Sequence, residues 1–366
     1  VVFEYGNVEE NSYIASCRKS ILSILYGKYV ENGQIDLDAT LQELNIEQIN
    51  EAIRAGAERN VPATVTIRSG ESWANLRSRV VALAGEHVLI ELPSTGPEGE
   101  VRHFEPADKQ DLAEFLAQVE ADVEITWVGL GSNLLVRDGG VRGVVIGPLN
   151  RLNGLKMLDQ GRVYVECGIT CARFARFCLK HELAGADFLA GIPGTIGGAL
   201  AMNAGAWGGE TWQFVESLEM MNRQGEIIFR DKDEFEVSYR SVSRPADEWF
   251  SAAIFKFPPL ENQDQSRIKQ LLEQRNASQP IGLPSCGSVF KNPEGDHAAL
   301  LIEASGLKGH CLGGACVSDK HANFIINTGT ASAQDIEQLI NEVRDKVEDE
   351  FSIELHTEVR IVGDPA

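Results

Sequence analysis

Apolar side chains recur at helical spacing over residues 12 to 30, where Ile14, Cys17, Ile21 and Leu25 share one face. The stretch "NGQIDLDATLQELNIEQINEAI" then reads as a turn followed by short helices, and from 71 to 100 the period fades. "STGPEGE" (94–100), polar and rich in glycine and proline, has the character of a linker. Order returns at 101. "VRHFEPADKQDLAEFLAQV" predicts a strand, a Pro/Asp helix start and an amphipathic helix. "EITWVGLGSNLLVRDGGVRGVVI" (124–146) predicts three short strands separated by glycine turns, and "GRVYVECGITCARFARFCLKHEL" a further strand and helix. "SLEMMNRQGEIIFR" predicts a hairpin about Asn222–Gly225. A helix follows in "DQSRIKQLLEQRNAS". Another opens at Ser332, with Ile336, Leu339, Ile340, Val343 and Val347 on one face. In the closing "IELHTEVRIVG", Ile353, Leu355, Val359 and Ile361 alternate with Glu354, His356, Glu358 and Arg360, which predicts a half-buried strand.

Strands and helices mixed without a regular βαβ repeat indicate the α+β class, and no internal repeat of solenoid period is present. A chain of 366 residues exceeds one ordinary core, so two or three domains are expected. The net charge of −21 argues against a nucleic-acid partner, because the phosphate backbone demands surplus Lys and Arg. No apolar run has the length of a membrane span, so no membrane partner is expected, and no signal peptide is recognisable. The chain opens "VVFEYGN" without a methionine, which leaves room for a missing natural start. The seven cysteines (Cys17, Cys167, Cys171, Cys178, Cys286, Cys311, Cys316) follow no framework spacing and read as reduced thiols of a cytoplasmic protein. The dispersed histidines complete no metal set, so no metal is expected.

Glycine permits close backbone approach to a ligand. "GLGSN" (Gly129 to Asn133) follows the strand "EITWV" directly, where such a loop can cradle a pyrophosphate, although taken alone it reads better as a tight hairpin turn. Position 134 is Leu, so the dinucleotide fingerprint Gly-x-Gly-x-x-Gly is not met. A second segment, "GIPGTIGGALAMNAGAWGGE", contains Gly191, Gly194, Gly197, Gly198, Gly205, Gly208 and Gly209. So many glycines bury little side chain, and the segment is read as a loop or half-helix wrapped about a large flat ligand. Two such loops suggest a dinucleotide held between two sub-domains.

In order and spacing, "GLGSNLLVRDGGVRGVVI", "GIPGTIGGALAMNAGAWGGE", "YRSVSR", "CGSVFKNP" and "KHANFIIN" resemble the successive motifs of the UDP-N-acetylenolpyruvoylglucosamine reductase (MurB) family, from about residue 101 to 366. The resemblance implies an FAD-binding fold of the PCMH/vanillyl-alcohol-oxidase type with a C-terminal MurB substrate domain. The short span from Arg240 to Ser288 resembles the type II members. It further implies a cytoplasmic, monomeric enzyme of peptidoglycan precursor synthesis, cell-wall biogenesis and cell division, with FAD bound, NADPH as co-substrate and a UDP-sugar as substrate. The domains implied are 101–258 for FAD binding, in two sub-domains, and 259–366 for substrate, with the last strand returning to the FAD region.

Carried over motif by motif, Arg240 meets the substrate carboxylate, Ser288 donates a proton and Glu358 completes a catalytic triad. Whether Glu358 stays ionised or shares a proton stays open, and Arg244 is the alternative arginine. FAD is assigned to Gly129, Leu130, Gly131, Ser132, Asn133 and Leu134, and to Gly191, Gly194, Thr195, Gly197, Gly198, Asn203, Ala204 and Gly205. Tyr239, Lys291 and Asn292 are assigned to the substrate, while Cys286 reads as a small turn residue. Family members begin with an Asn/His-Thr segment leading into Gly-Gly-Pro-Ala, of which "ELPSTGPEGEVRHFEPAD" retains only Thr95, Gly96 and Pro97. The first part of the flavin motif is therefore read as disrupted.

Residues 1–70 instead resemble a fragment of a β-lactamase-related serine hydrolase, with Ser16 and Lys19 as Ser-x-x-Lys, and 1–100 is read as that fragment plus an irregular linker. The chemistry of Ser16 needs a downstream Tyr-x-Asn or Ser-x-Asn and a Lys-Thr-Gly strand, and the chain offers neither. A hydrolase using Ser16 and a flavin oxidase of another substrate are the alternative readings.

Overall fold

The computed structural model describes residues 101–260 and 266–366. The helix expected over 12–30, Ser16, Lys19, Cys17 and the linker at 94–100 lie outside the described residues.

The first unit contains β1 (Val101–Phe104), α1 (Lys109–Leu116), β2 (Ile125–Trp127), β3 (Leu134–Val136) and β4 (Gly143–Ile146). As the Pro/Asp start predicts, the Asp108 carboxylate accepts from the Asp111 amide at 2.9 Å and caps α1. β1 and β2 flank β4 in parallel. α1 lays Leu112, Phe115 and Leu116 into their core, with Phe115 stacked on Phe104 at 3.9 Å.

The second unit contains β5 (Leu155–Met157), β6 (Arg162–Glu166), α2 (Cys171–Lys180), α3 (Ile196–Met202), β7 (Gly205–Ala206), β8 (Gly209–Glu210), β9 (Val215–Asn222), β10 (Ile227–Asp231), β11 (Glu236–Ser238), β12 (Ser241–Ser243) and β13 (Glu248–Lys256). Its antiparallel sheet runs β10-β9-β13-β6-β5, and the β9–β10 hairpin turns where expected, with Gly225 at φ 78°. Its core is aromatic: Phe174 lies 5.0 Å from Phe255 and 5.9 Å from Phe257.

The third unit follows with α4 (Arg267–Ser278), α5 (Ala298–Ala304), β14 (Cys311–Leu312), β15 (Ala315–Val317), β16 (Ile325–Asn327), α6 (Ala333–Phe351) and β17 (Arg360–Val362). α4 buries Ile268 in the core of the second unit, whereas α5 and α6 cover a separate core with Leu301, Ile302, Leu339, Ile340, Val343 and Val347. Ser332 and Asp335 cap α6 reciprocally. β17 pairs in parallel with β3, from Arg360 opposite Leu134 to Val362 opposite Val136. β17 thereby lies beside the strand that directly follows the Gly129–Asn133 loop.

Three expectations change. Only Arg360–Val362 of the closing segment is a strand. The alternation before it survives, with Leu355 and Val359 buried, because residues 356–359 bond to the loop at 289–291 instead of to a sheet. Cys311 and Cys316 are joined in a disulfide, not reduced: the Gly313–Gly314 turn sets them opposite each other on β14 and β15, with Cα atoms 4.1 Å apart. Cys286 is a buried member of the third core and not merely a turn residue.

Candidate active site

The Gly129 loop follows β2, and the second glycine segment crosses close to it. A Cβ on Gly129 would stand 2.5 Å from Thr195 Oγ1, and the Ser132 hydroxyl donates to the Pro193 carbonyl. The two loops assigned to FAD are therefore edge to edge. Part of the second segment is a short helix that packs into the core, where its glycines led to the expectation of little buried side chain. α3, capped by Thr195, buries Ile196, Ala199 and Leu200, and Gly197 is required because a Cβ would lie 2.9 Å from Cys167 Cβ. Gly191 is closed over by the Trp207 ring.

Gly131, Gly194 and Gly198 differ from these. An added Cβ would meet no atom nearer than 3.8, 3.8 and 3.7 Å, so packing demands glycine at none of them, although the left-handed backbone of Gly131 (φ 73°) favours it there. Among the described residues, the amides of Leu130, Gly131, Ser132 and Asn133 have no protein acceptor. Open glycines and unpaired amides on adjoining loops suit a diphosphate-bearing cofactor, since aligned N–H groups attract anions.

Tyr239 and Arg240 form the turn between β11 and β12. The Arg240 backbone is left-handed, with φ 53°, and its guanidinium lies 4.9 Å from the Tyr239 ring centroid. Nη2 donates to Gly205 O at 2.6 Å and Nη1 to Asn203 O at 3.3 Å. Nε stands 3.3 Å from Glu358 Oε1, and Nη1 is 4.0 Å from Glu210. Arg244 is elsewhere: it donates to the Glu248 carbonyl and faces Trp249.

Glu358 arrives from the third unit. Its amide donates to Val289 O at 2.8 Å, and its carbonyl accepts from Asn133 Nδ2 at 3.0 Å. Burial raises its carboxyl above the usual range, against the pull of Arg240 and Lys291. Half-buried Ser288 immediately precedes Val289, and Gly287 (φ 79°) faces the Ser132 carbonyl. Buried Asn323 fixes that loop, donating from Nδ2 to Phe290 O at 2.8 Å and accepting the Phe290 amide at 2.9 Å. The structure thus unites Arg240, Glu358 and the Ser288 loop, with the Lys291 charge nearby.

Some assigned residues are already engaged. Asn292 Oδ1 accepts from the Ala298 amide at 3.1 Å and caps the start of α5. The Asn133 side chain holds the Glu358 segment, and the Asn203 carboxamide is directed into protein. Sequence reading missed Glu210 beside Arg240 and Asn323 behind the Ser288 loop, although "GGE" and "KHANFIIN" contained them.

Two glycine loops from successive units, one presenting free amides, both border a half-buried ion pair, an arrangement that suits an enzyme holding a dinucleotide cofactor. Residues 102–229 match the FAD binding domain, and 279–362 match the UDP-N-acetylenolpyruvoylglucosamine reductase C-terminal domain. The UDP-N-acetylenolpyruvoylglucosamine reductase of Methylococcus capsulatus is 54% identical over 264 residues, 72% of this chain and 87% of that protein. That of Coxiella burnetii is 46% identical over 314 residues, 80% of this chain and 98% of that protein, so likeness extends upstream of residue 101. A crystal structure of the reductase from Thermus caldophilus superposes with a TM-score of 0.60 at 28% identity, covering 72% of this chain and 92% of that one. The chain belongs to the UDP-N-acetylenolpyruvoylglucosamine reductase family and is an FAD-dependent oxidoreductase. Among the described residues, no helix is long and apolar enough to cross a membrane.

Proposed function

We propose that the chain reduces UDP-N-acetylglucosamine enolpyruvate to UDP-N-acetylmuramate in the cytoplasm, as a monomer, with NADPH as electron source. The contact that carries this reading is Arg240 Nε to Glu358 Oε1, 3.3 Å, at the junction of the flavin loops and the Ser288 loop. The Gly129–Leu134 and Gly194–Gly198 backbones would hold FAD, which would supply the hydride. Arg240, permanently charged and planar, holds the substrate carboxylate and offsets the negative charge that develops beside it. With the hydride delivered to the terminal carbon of the enolpyruvyl double bond, Ser288 gives its hydroxyl proton to the carbanion left beside the carboxylate and regains one from solvent. Its weak acidity suffices only with the carbanion held against it, and general acid catalysis supplies about 10²–10⁴-fold. Glu358 opposes Arg240 and limits its swing. Lys291 offers an ammonium to the diphosphate, Tyr239 an aromatic face to the substrate, and Asn292 its free amide nitrogen.

The test uses the FAD-loaded full chain without oxygen. NADPH should discharge the yellow absorbance, and the enolpyruvyl UDP-sugar should restore it while forming UDP-N-acetylmuramate, measured by mass spectrometry. Lack of any response to that sugar overturns the substrate assignment.

A further inference from the structure

Asn203 lies at the left-handed end of α3, with φ 46°, a conformation that asparagine tolerates and most residues do not. It is 2% exposed, and all the polar atoms of its side chain are committed. Oδ1 accepts the Trp212 amide at 3.1 Å, while Nδ2 donates to Glu210 Oε2 at 3.0 Å and to Ser238 O at 3.2 Å. Ser238 closes β11 just before the Tyr239–Arg240 turn, and the Asn203 carbonyl accepts from Arg240. The other carboxylate oxygen of Glu210 stands 4.0 Å from Arg240 Nη1. One carboxamide therefore grips both the root of the arginine turn and the carboxylate beside its tip.

We propose that Asn203 and Glu210 are positioning residues that hold the Arg240 guanidinium against Glu358, so that ordering of the flavin loop and placement of the arginine are one event. Arg240 depends on them because its backbone is left-handed, a strained conformation for arginine that surrounding bonds must offset. The carbonyls it bonds, Asn203 and Gly205, belong to the glycine segment itself. The inference rests on the reading of Arg240 as the partner of the substrate carboxylate.

The test reverses the hydrogen bond. Asn203→Asp keeps the acceptor for Trp212 and tolerates the left-handed backbone, but faces the Glu210 carboxylate with a second carboxylate. Glu210→Gln in that background restores a donor–acceptor pair with roles exchanged. Under anaerobic single-turnover conditions, oxidation by the enolpyruvyl sugar should slow about tenfold in Asn203→Asp, beyond any fall in flavin content or in the NADPH step. The double variant should regain at least about threefold of that loss, short of the parent because Ser238 O keeps no donor from position 203. Equal losses in all three readouts, or a double variant worse than Asn203→Asp, overturn the proposal in favour of general loop damage. A crystal structure of FAD-loaded Asn203→Asp gives a second measurement independent of substrate. The guanidinium should leave Gly205 O and Glu358, and an unmoved arginine overturns the proposal. Should the parent fail to react with the sugar, the proposed function falls while this structural comparison still decides the positioning roles.

Discussion

Two polar clusters have the same parts and opposite characters. Around Lys109 stand Glu219 at 2.8 Å, Glu166 at 3.6 Å and the Tyr164 hydroxyl at 2.7 Å. Around Arg240 stand Glu358 at 3.3 Å, Glu210 at 4.0 Å and Tyr239. The first is saturated: Glu219 also accepts from Ser251 Oγ, and Glu166 from the Gly154 amide. Burial opposes the Lys109 charge, but its bonds to Glu219 and Tyr164 raise the ammonium above its ordinary range. Burial pushes Tyr164 up to about 12, so it stays a phenol. The second cluster has longer contacts, a left-handed arginine and a tyrosine that is 42% exposed. A saturated network fixes shape, here binding α1 to the neighbouring sheet. A strained and incompletely filled one retains capacity for a ligand.

The largest expected effects separate the clusters by rate. Ser288→Ala should slow sugar-dependent oxidation by about 10²–10⁴-fold while NADPH still discharges the flavin colour. Normal turnover would remove Ser288 from the mechanism. Arg240→Lys, which keeps charge and loses the planar fork, should lower kcat/KM by about 10²–10³-fold with little change in melting temperature. An equal loss in stability would make Arg240 a second Lys109.

Lys109→Met is the converse experiment. It leaves Glu219, 7% exposed, without its cation, and should cost about 2–3 kcal/mol of stability. Denaturant titration should show the loss, while the ratio of the NADPH and sugar half-reactions stays that of the parent. A selective fall of the sugar step would place Lys109 in the site's machinery and break the comparison.

The difference between the clusters also explains what the sequence revealed. Helices with local caps, such as those opened by Asp108 and Ser332, were legible because cap and apolar face lie within one turn of each other. So was the Asn222–Gly225 hairpin. Arg240, Ser288 and Glu358 came from motif resemblance, since residues so far apart in sequence leave no local trace of their meeting. Glycine counting missed the core packing of α3, because Gly197 serves close packing against Cys167 while Gly131, Gly194 and Gly198 leave room for a Cβ at ordinary contact distance. The sequence pattern also overextended the last strand, as burial alternates along an extended segment whether or not a ladder pairs it. Cys311 and Cys316, five residues apart, gave no framework signal, yet a two-glycine turn brings them together.

The smallest effect tests the comparison at its most delicate point, the ionisation of Glu358. A carboxyl raised by burial binds its proton more tightly when folded than when unfolded. Its contribution to stability is then complete below the ordinary carboxylate range and is lost as pH rises through the raised folded value. Glu358→Gln, which never ionises, should match the parent near pH 4 (roughly the unfolded carboxylate range) and become modestly more stable relative to it toward neutrality. Melting temperatures of the two proteins across that range measure the sign. If the parent instead gains on the variant as pH rises, Arg240 and Lys291 outweigh burial, and the ion pair is a structural clamp of the kind that Lys109 makes. If the variant gains, Glu358 is held where charging is costly, and a substrate that brings its own carboxylate to Arg240 would favour the protonated form still more. The same sign would therefore distinguish a carboxyl that opposes the arginine as a fixed anion from one that can share a proton during turnover.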